Sequence, residues 1–215
     1  DNIYQKKKLD SSNEEIRLQA QEEYVQFVSI LKKEGVDVIE FVDDNQENTP
    51  DSLFPNNWIS THQDGTIYLY PMLAKNRRLE RRIDIIQFFR ENFDVNNVLD
   101  DAVFFEKKGV FLEGTGSMVL DRKNKIAYAC LSQRTVLDVF NKWCQKMSYN
   151  GVSFCAKDRG QDIYHTNVLM SVCQHIVFIC LDAIFKNSDK EKLLTFFKKT
   201  NKEVINISNL QMNSF

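Results

Sequence analysis

The feature that most constrains the fold is a recurring order of elements. A helical pattern gives way to a β-branched run, then a short polar knot, then two strand-like runs joined by a turn. The knots are Phe54-Pro55-Asn56-Asn57-Trp58, Leu112-Glu113-Gly114-Thr115-Gly116-Ser117-Met118 and Tyr164-His165-Thr166-Asn167-Val168. The unit returns about every 50 residues, as in propeller-like architectures. Repeats set around an axis bring equivalent positions to one place, so polar groups at the knots should converge on one cleft.

The individual elements follow from local pattern. An Asn13 cap, an acidic first turn and apolar residues at Ile16, Ala20, Tyr24, Phe27, Val28 and Leu31 predict a helix that Gly35 ends. A strand is expected over 36–41, then strands over 58–61 and 67–70 around the Asp64-Gly65 turn. The second unit reads as a helix over 78–93, with Leu79, Ile83, Ile86 and Phe89 on one face, a strand over 95–99, and strands over 117–120 and 126–130. The third reads as a helix over 135–147 and strands over 152–154, 168–172 and 176–181. A helix over 189–199 and a strand over 203–207 open a fourth unit, and 211–215 resembles the start of another knot. The expectation is therefore a fragment of a longer protein, with 1–215 forming most of one α/β domain.

Composition narrows the class. The formal net charge of −2 argues against a nucleic-acid partner, and Lys6-Lys7-Lys8 reads as a solvated stretch because acidic residues follow. No apolar run approaches the ~20 residues needed to cross a bilayer, so no membrane association is expected. The first residues lack the apolar region of a signal peptide and an initiator Met, which suggests a start within a longer chain or after processing. The five cysteines form no CxxC pair. They read as reduced thiols in a cytoplasmic protein, with neither disulfides nor a metal site.

Glu113 and His165 are individually ordinary: a lone His beside a strand is usually a core residue, and a lone Glu usually an exposed or paired one. At equivalent knots they form a candidate carboxylate–histidine pair, the carboxylate orienting the ring and raising its basicity. Gly114 and Gly116 let backbone approach a ligand.

These runs, with Tyr70-Pro71-Met72, Asn76-Arg77-Arg78, Arg81-Arg82 and Ala127-Tyr128-Ala129-Cys130, resemble the arginine deiminase-related amidinotransferase superfamily, and within it the citrulline utilisation hydrolases. The resemblance covers nearly the whole chain. It implies the five-bladed α/β propeller (pentein) fold, incomplete in this chain. It also implies a cysteine nucleophile that attacks a guanidino or ureido carbon, with Glu113 as the orienting acid and His165 as the proton carrier. That cysteine belongs to a Gly-rich segment ending Arg-Cys, which this sequence does not contain. None of the five cysteines is assigned the role, and a non-catalytic remnant stays an alternative. No metal or organic cofactor is implied, since a thiolate supplies the nucleophile.

Two departures bear on the substrate. Arginine-binding relatives carry aspartates where this chain has His62 and Asn167. A buried guanidinium without a counter-charge is costly, whereas neutral groups satisfy a ureido group. Citrulline, hydrolysed to ornithine, ammonia and carbon dioxide, is thus expected, with a guanidino substrate as the alternative. Asn57, His62, Asn167 and Arg77 are the expected substrate-binding residues. The run Arg77, Arg78, Arg81, Arg82 either holds a substrate carboxylate or pairs with Glu80 and Asp84. Beyond a small-molecule substrate, a homo-oligomer is compatible with the sequence.

Overall fold

In the computed structural model, residues 12–43, 49, 51–52 and 55–214 are described. Phe54 of the first knot therefore lies outside the described residues. The chain divides into two compact units, Asp1–Asp44 and Asn45–Phe215.

The first unit holds helix α1 (Asn13–Lys33). Its cap is Ser12, one residue before the expected Asn13: Ser12 Oγ accepts the Glu15 N–H while the Glu15 carboxylate accepts the Ser12 N–H, a reciprocal capping box. Gly35, at φ +81°, follows the end of the helix as expected. The strand expected over 36–41 is not formed. Its β-branched residues are right for a strand, but among the described residues no neighbour offers it a ladder.

The second unit builds one sheet three times. In each, a knot leads into an antiparallel pair, and the chain returns through a helix to add a parallel third strand. The first sheet joins β1 (Ile59–Thr61), β2 (Thr66–Leu69) and β3 (Asn97–Asp100). The second joins β4 (Met118–Asp121), β5 (Ile126–Cys130) and β6 (Asn150–Phe154). After a small hairpin of β7 (Lys157–Asp158) and β8 (Gln161–Asp162), the third joins β9 (Met170–Val172), β10 (Ile176–Ile179) and β11 (Glu203–Asn206). These are blades of the α/β propeller expected from the repeat.

The middle strands β2 and β5 are buried on both faces, whereas β10 buries Val177 and Ile179 and leaves Phe178 exposed. Along β5, Ile126, Tyr128 and Cys130 enter a core with Phe154, Ile179 and Phe197, while Ala127 and Ala129 face another with Tyr70, Met118, Phe140 and Trp143. In β2, Ile67 and Leu69 pack with Trp58 and Met72, and Tyr68 turns to the second core.

The crossover helices are α3 (Ile83–Asn92), α6 (Leu137–Met147) and α7 (Asn187–Lys199). The helix expected over 78–93 is broken into α2 (Lys75–Arg78) and α3, with Arg82 extended at φ −96°, ψ 120°. Arg81 causes a tether between them, its guanidinium donating to Glu106 Oε1 at 2.6 Å and to the Tyr70 carbonyl at 3.3 Å. Of the residues expected to face the core, Ile86 and Phe89 do, joined by Ile85, while Leu79 and Ile83 are exposed. Three short helices complete the unit: α4 (Ala102–Lys107), α5 (Gly114–Ser117) and α8 (Asn209–Met212). Among the described residues no helix is long and apolar enough to cross a membrane.

Candidate active site

All three knots form a tight turn immediately before the first strand of a blade: Pro55–Asn57 and Thr166–Val168 as 3-10 turns, Gly114–Ser117 as α5. Direct bonds hold the turns together. Thr115 Oγ1 donates to the Asn56 carbonyl at 3.0 Å. Thr166 Oγ1 donates to the Ser117 carbonyl at 2.5 Å and accepts the Cys130 N–H at 2.7 Å. Gly114, at φ +46°, lies so close to the first knot that a Cβ there would stand 2.7 Å from the Asn57 carbonyl oxygen. A Cβ on Gly116 would stand 2.8 Å from His165 Nδ1 and 2.9 Å from Asn57 Oδ1. Asn57, Gly116 and His165 therefore meet at one point, from three successive blades.

At that point His165 Nε2 is 2.7 Å from Glu113 Oε2. Glu113 is 0% and His165 6% exposed. The carboxylate also accepts the Leu73 N–H at 2.9 Å and the Arg134 Nη1 donor at 3.3 Å. Burial pushes the Glu113 carboxyl up, but the His165 bond and charge, the Arg134 charge and the Leu73 N–H together pull it below the ordinary range. For His165, burial is the largest influence and keeps the ring below its usual value, against the opposing pull of Glu113. The His165 ring, Arg134 and the Leu73 N–H together favour Glu113 as an anion. A carboxylate accepts only, so a neutral His165 carries its proton on Nε2 and turns the bare Nδ1 toward Gly116 and Asn57.

Arg134 stacks over Tyr164, its guanidinium carbon 5.0 Å from the ring centre, and Tyr164 stands edge-on to His165 at 4.8 Å. Ser117 Oγ accepts the Glu113 N–H and donates to the Arg134 carbonyl, both at 2.8 Å. Sequence reasoning missed Arg134, Thr166 and the Leu73 N–H. The first two carried a signal, a cation at the turn into α6 and a hydroxyl beside the candidate histidine. A backbone donor carries none.

The other expected substrate residues divide. Arg77 is buried and grips Glu80 through two bonds of 2.9 and 3.0 Å. It is close enough to Glu113, His165 and Asp51 to act on their fields. Arg78 and Arg81 converge on Glu106, and Arg82 pairs with Asp84 at 2.5 Å. Asn167 is exposed within the third turn. His62 is not brought to the pair: β1 carries it away from the knot, its Nε2 sits 2.9 Å from Ser60 Oγ, and its neighbours are Trp143, Asp64, Arg122 and Lys125. Burial pushes its imidazolium down to about 4.

The thiols lie elsewhere. Cys130 and Cys144 are buried, and burial pushes both up to about 12. Cys180 Sγ is 3.2 Å from Asn209 Oδ1.

Repeated three-stranded blades with a buried carboxylate–histidine pair where their knots converge define the pentein superfamily of guanidine-modifying enzymes. Solved structures share the fold. The cyanobacterial arginine dihydrolase ArgZ matches at a TM-score of 0.67 and 17% identity over 91% of this chain. Unliganded AgrE matches at 0.74 and 19% over 99%. A dimethylarginine dimethylaminohydrolase variant in adduct with S-methyl-L-thiocitrulline matches at 0.65 and 16% over 92%. The chain spans 29% of ArgZ, 28% of AgrE and 68% of the last. Among curated proteins, none matches the sequence. Residues 1–215 match the model for eukaryotic N,N dimethylarginine dimethylhydrolase, and the chain belongs to that family.

Proposed function

We propose that the complete protein hydrolyses the terminal C–N bond of a guanidino or ureido amino acid through a cysteine thiolate. The observation that carries this reading is the buried Glu113–His165 pair, whose Nδ1 side packs against Gly116 beside Asn57 where the knots converge. A neutral imidazole beside a fixed carboxylate can take a proton from a thiol, and Glu113 then faces an imidazolium. The thiolate adds to the planar carbon. The departing nitrogen takes the proton from His165, and the imidazole next draws a proton from the water that cleaves the thioester-like adduct and frees the thiol. Burial suits neither Cys130 nor Cys144 to this step, and this reading assigns the nucleophile to the Gly-rich Arg-Cys segment that the family resemblance implies for the complete protein.

Family membership favours a guanidino substrate. Citrulline is the second reading. It is favoured by the neutral amides of Asn57 and Asn167, while the distance of His62 from the pair removes its share of that support. Assigned roles are Glu113 as orienting base partner, His165 as proton carrier, Asn57 and Asn167 as polar contacts, and Arg77 as a carboxylate-binding or field-setting cation. The test is product analysis with the complete protein. Dimethylarginine should give citrulline and dimethylamine; ornithine, ammonia and carbon dioxide from citrulline as the faster reaction would reverse the order of the two readings.

A further inference from the structure

A cleft of about 310 Å³ opens at the far end of the first blade, between the β1–β2 turn and the end of α3. That volume lies in the range that holds small molecules. Its walls are apolar and aromatic: Ile67, Phe89, Phe93 and Val95. The two phenyl rings stand 5.6 Å apart and tilted by 44°, so they present two faces at an angle. At the rim are His62 and Asp94, and Asp94 is the one charged side chain lining the cleft among the described residues.

We propose that this cleft binds a small organic cation, an ammonium or guanidinium carried on an apolar stem. Phenyl faces attract a cation through their negative quadrupole, and a carboxylate beside them supplies the counter-charge. The stem would lie on Ile67 and Val95. His62 completes the site as a neutral ring whose Nε2 is held by Ser60 Oγ, which in turn bonds the buried Tyr70 hydroxyl at 2.7 Å. The turn itself is rigid: Gly65, at φ +75°, packs so tightly on the 94–96 segment that a Cβ would stand 2.2 Å from the Asp94 carbonyl oxygen. Such a site is built before its guest arrives, which lowers the cost of binding.

The proposal stands apart from the hydrolase reading, because the cleft shares no lining residue with the Glu113–His165 pair. The three histidines report on it separately. The 215-residue chain is titrated with phenethylammonium, and in parallel with 2-phenylethanol as the neutral counterpart, while the ring resonances of His62, His165 and His175 are followed by NMR. The cation should shift His62 and leave His165 in place. Asp94→Asn should weaken binding by about tenfold, and Phe93→Ala by about threefold. Both positions are exposed, so neither variant threatens the fold. An unmoved His62, equal binding of the alcohol, or a cation that shifts His165 instead would overturn the proposal.

Discussion

Because a carboxylate can only accept, Glu113 decides which nitrogen of His165 carries the proton, and Gly116, lacking a side chain, leaves the space in which the ring lies. Gly116→Ala should therefore push the ring from its place. The expected result is a loss on the order of 100-fold in turnover of the complete protein, since small misplacements of reacting groups are that costly, with an unchanged far-ultraviolet circular dichroism spectrum. The histidines also set the response to acid. His62 and His165 both have folded values below the unfolded ~6.5. The unfolded chain then binds protons that the folded chain refuses, so stability is full above about pH 6.5 and falls as pH drops toward the folded values. For His62, lowered to about 4, the loss between pH 7.5 and 5 is at most about 2 kcal/mol, less to the extent that water reaches the ring. Urea midpoints for the native chain and His62→Gln at the two pH values check this: the variant should lose less on acidification. At this scale the pair was legible in the sequence because two knots placed an acid and a histidine at equivalent positions. His62 misled, since a motif position says nothing about which end of a three-residue strand a side chain occupies.

At the scale of elements, the knots are the joints of the second unit, and Thr166 is the bolt between two of them. It satisfies the buried Ser117 carbonyl and the Cys130 N–H at once. Thr166→Val keeps the shape and strands both groups, which should cost about 2 kcal/mol or more. The same change should lower kcat more than it raises KM, because His165 is the adjacent residue. Thermal denaturation and steady-state kinetics measure the two effects, and rescue by Thr166→Ser would separate the hydroxyl from mere packing. The blades were legible because each hairpin has alternating or continuous apolar runs around a turn. The split between α2 and α3 was not, since the tether that breaks the helix is Glu106, far along the chain. The β7–β8 hairpin was missed as well. Its turn, Arg159-Gly160, has both residues at positive φ, a conformation usually announced by Asn or Asp rather than Arg.

At the scale of the whole second unit, adjacent blades are joined by polar ties as well as apolar cores. Lys202 is buried with its ammonium 2.9 Å from Asp121 at the end of β4, and it also donates to the Cys173 and Gln174 carbonyls before β10. Lys202→Met would leave a buried carboxylate without its partner, at a cost of about 3–5 kcal/mol. The double variant Lys202→Met, Asp121→Leu should recover part of that loss in urea titrations. Nothing local marks this lysine, which in sequence reads as one more surface charge after a helix. The convergence of three knots, by contrast, followed from the repeat alone, and the close approach of Asn57, Gly116 and His165 is its geometric outcome. The central claim is that this convergence is a hydrolytic centre. The most direct measurement is release of the amine from dimethylarginine, and of ammonia from arginine and citrulline, by the complete protein and its Glu113→Gln, His165→Asn and doubly substituted forms. Turnover of at least one substrate, a loss on the order of 1,000-fold in each single variant, and little further loss in the double variant is the predicted result. Turnover that survives in His165→Asn, or losses that multiply in the double variant, would contradict it.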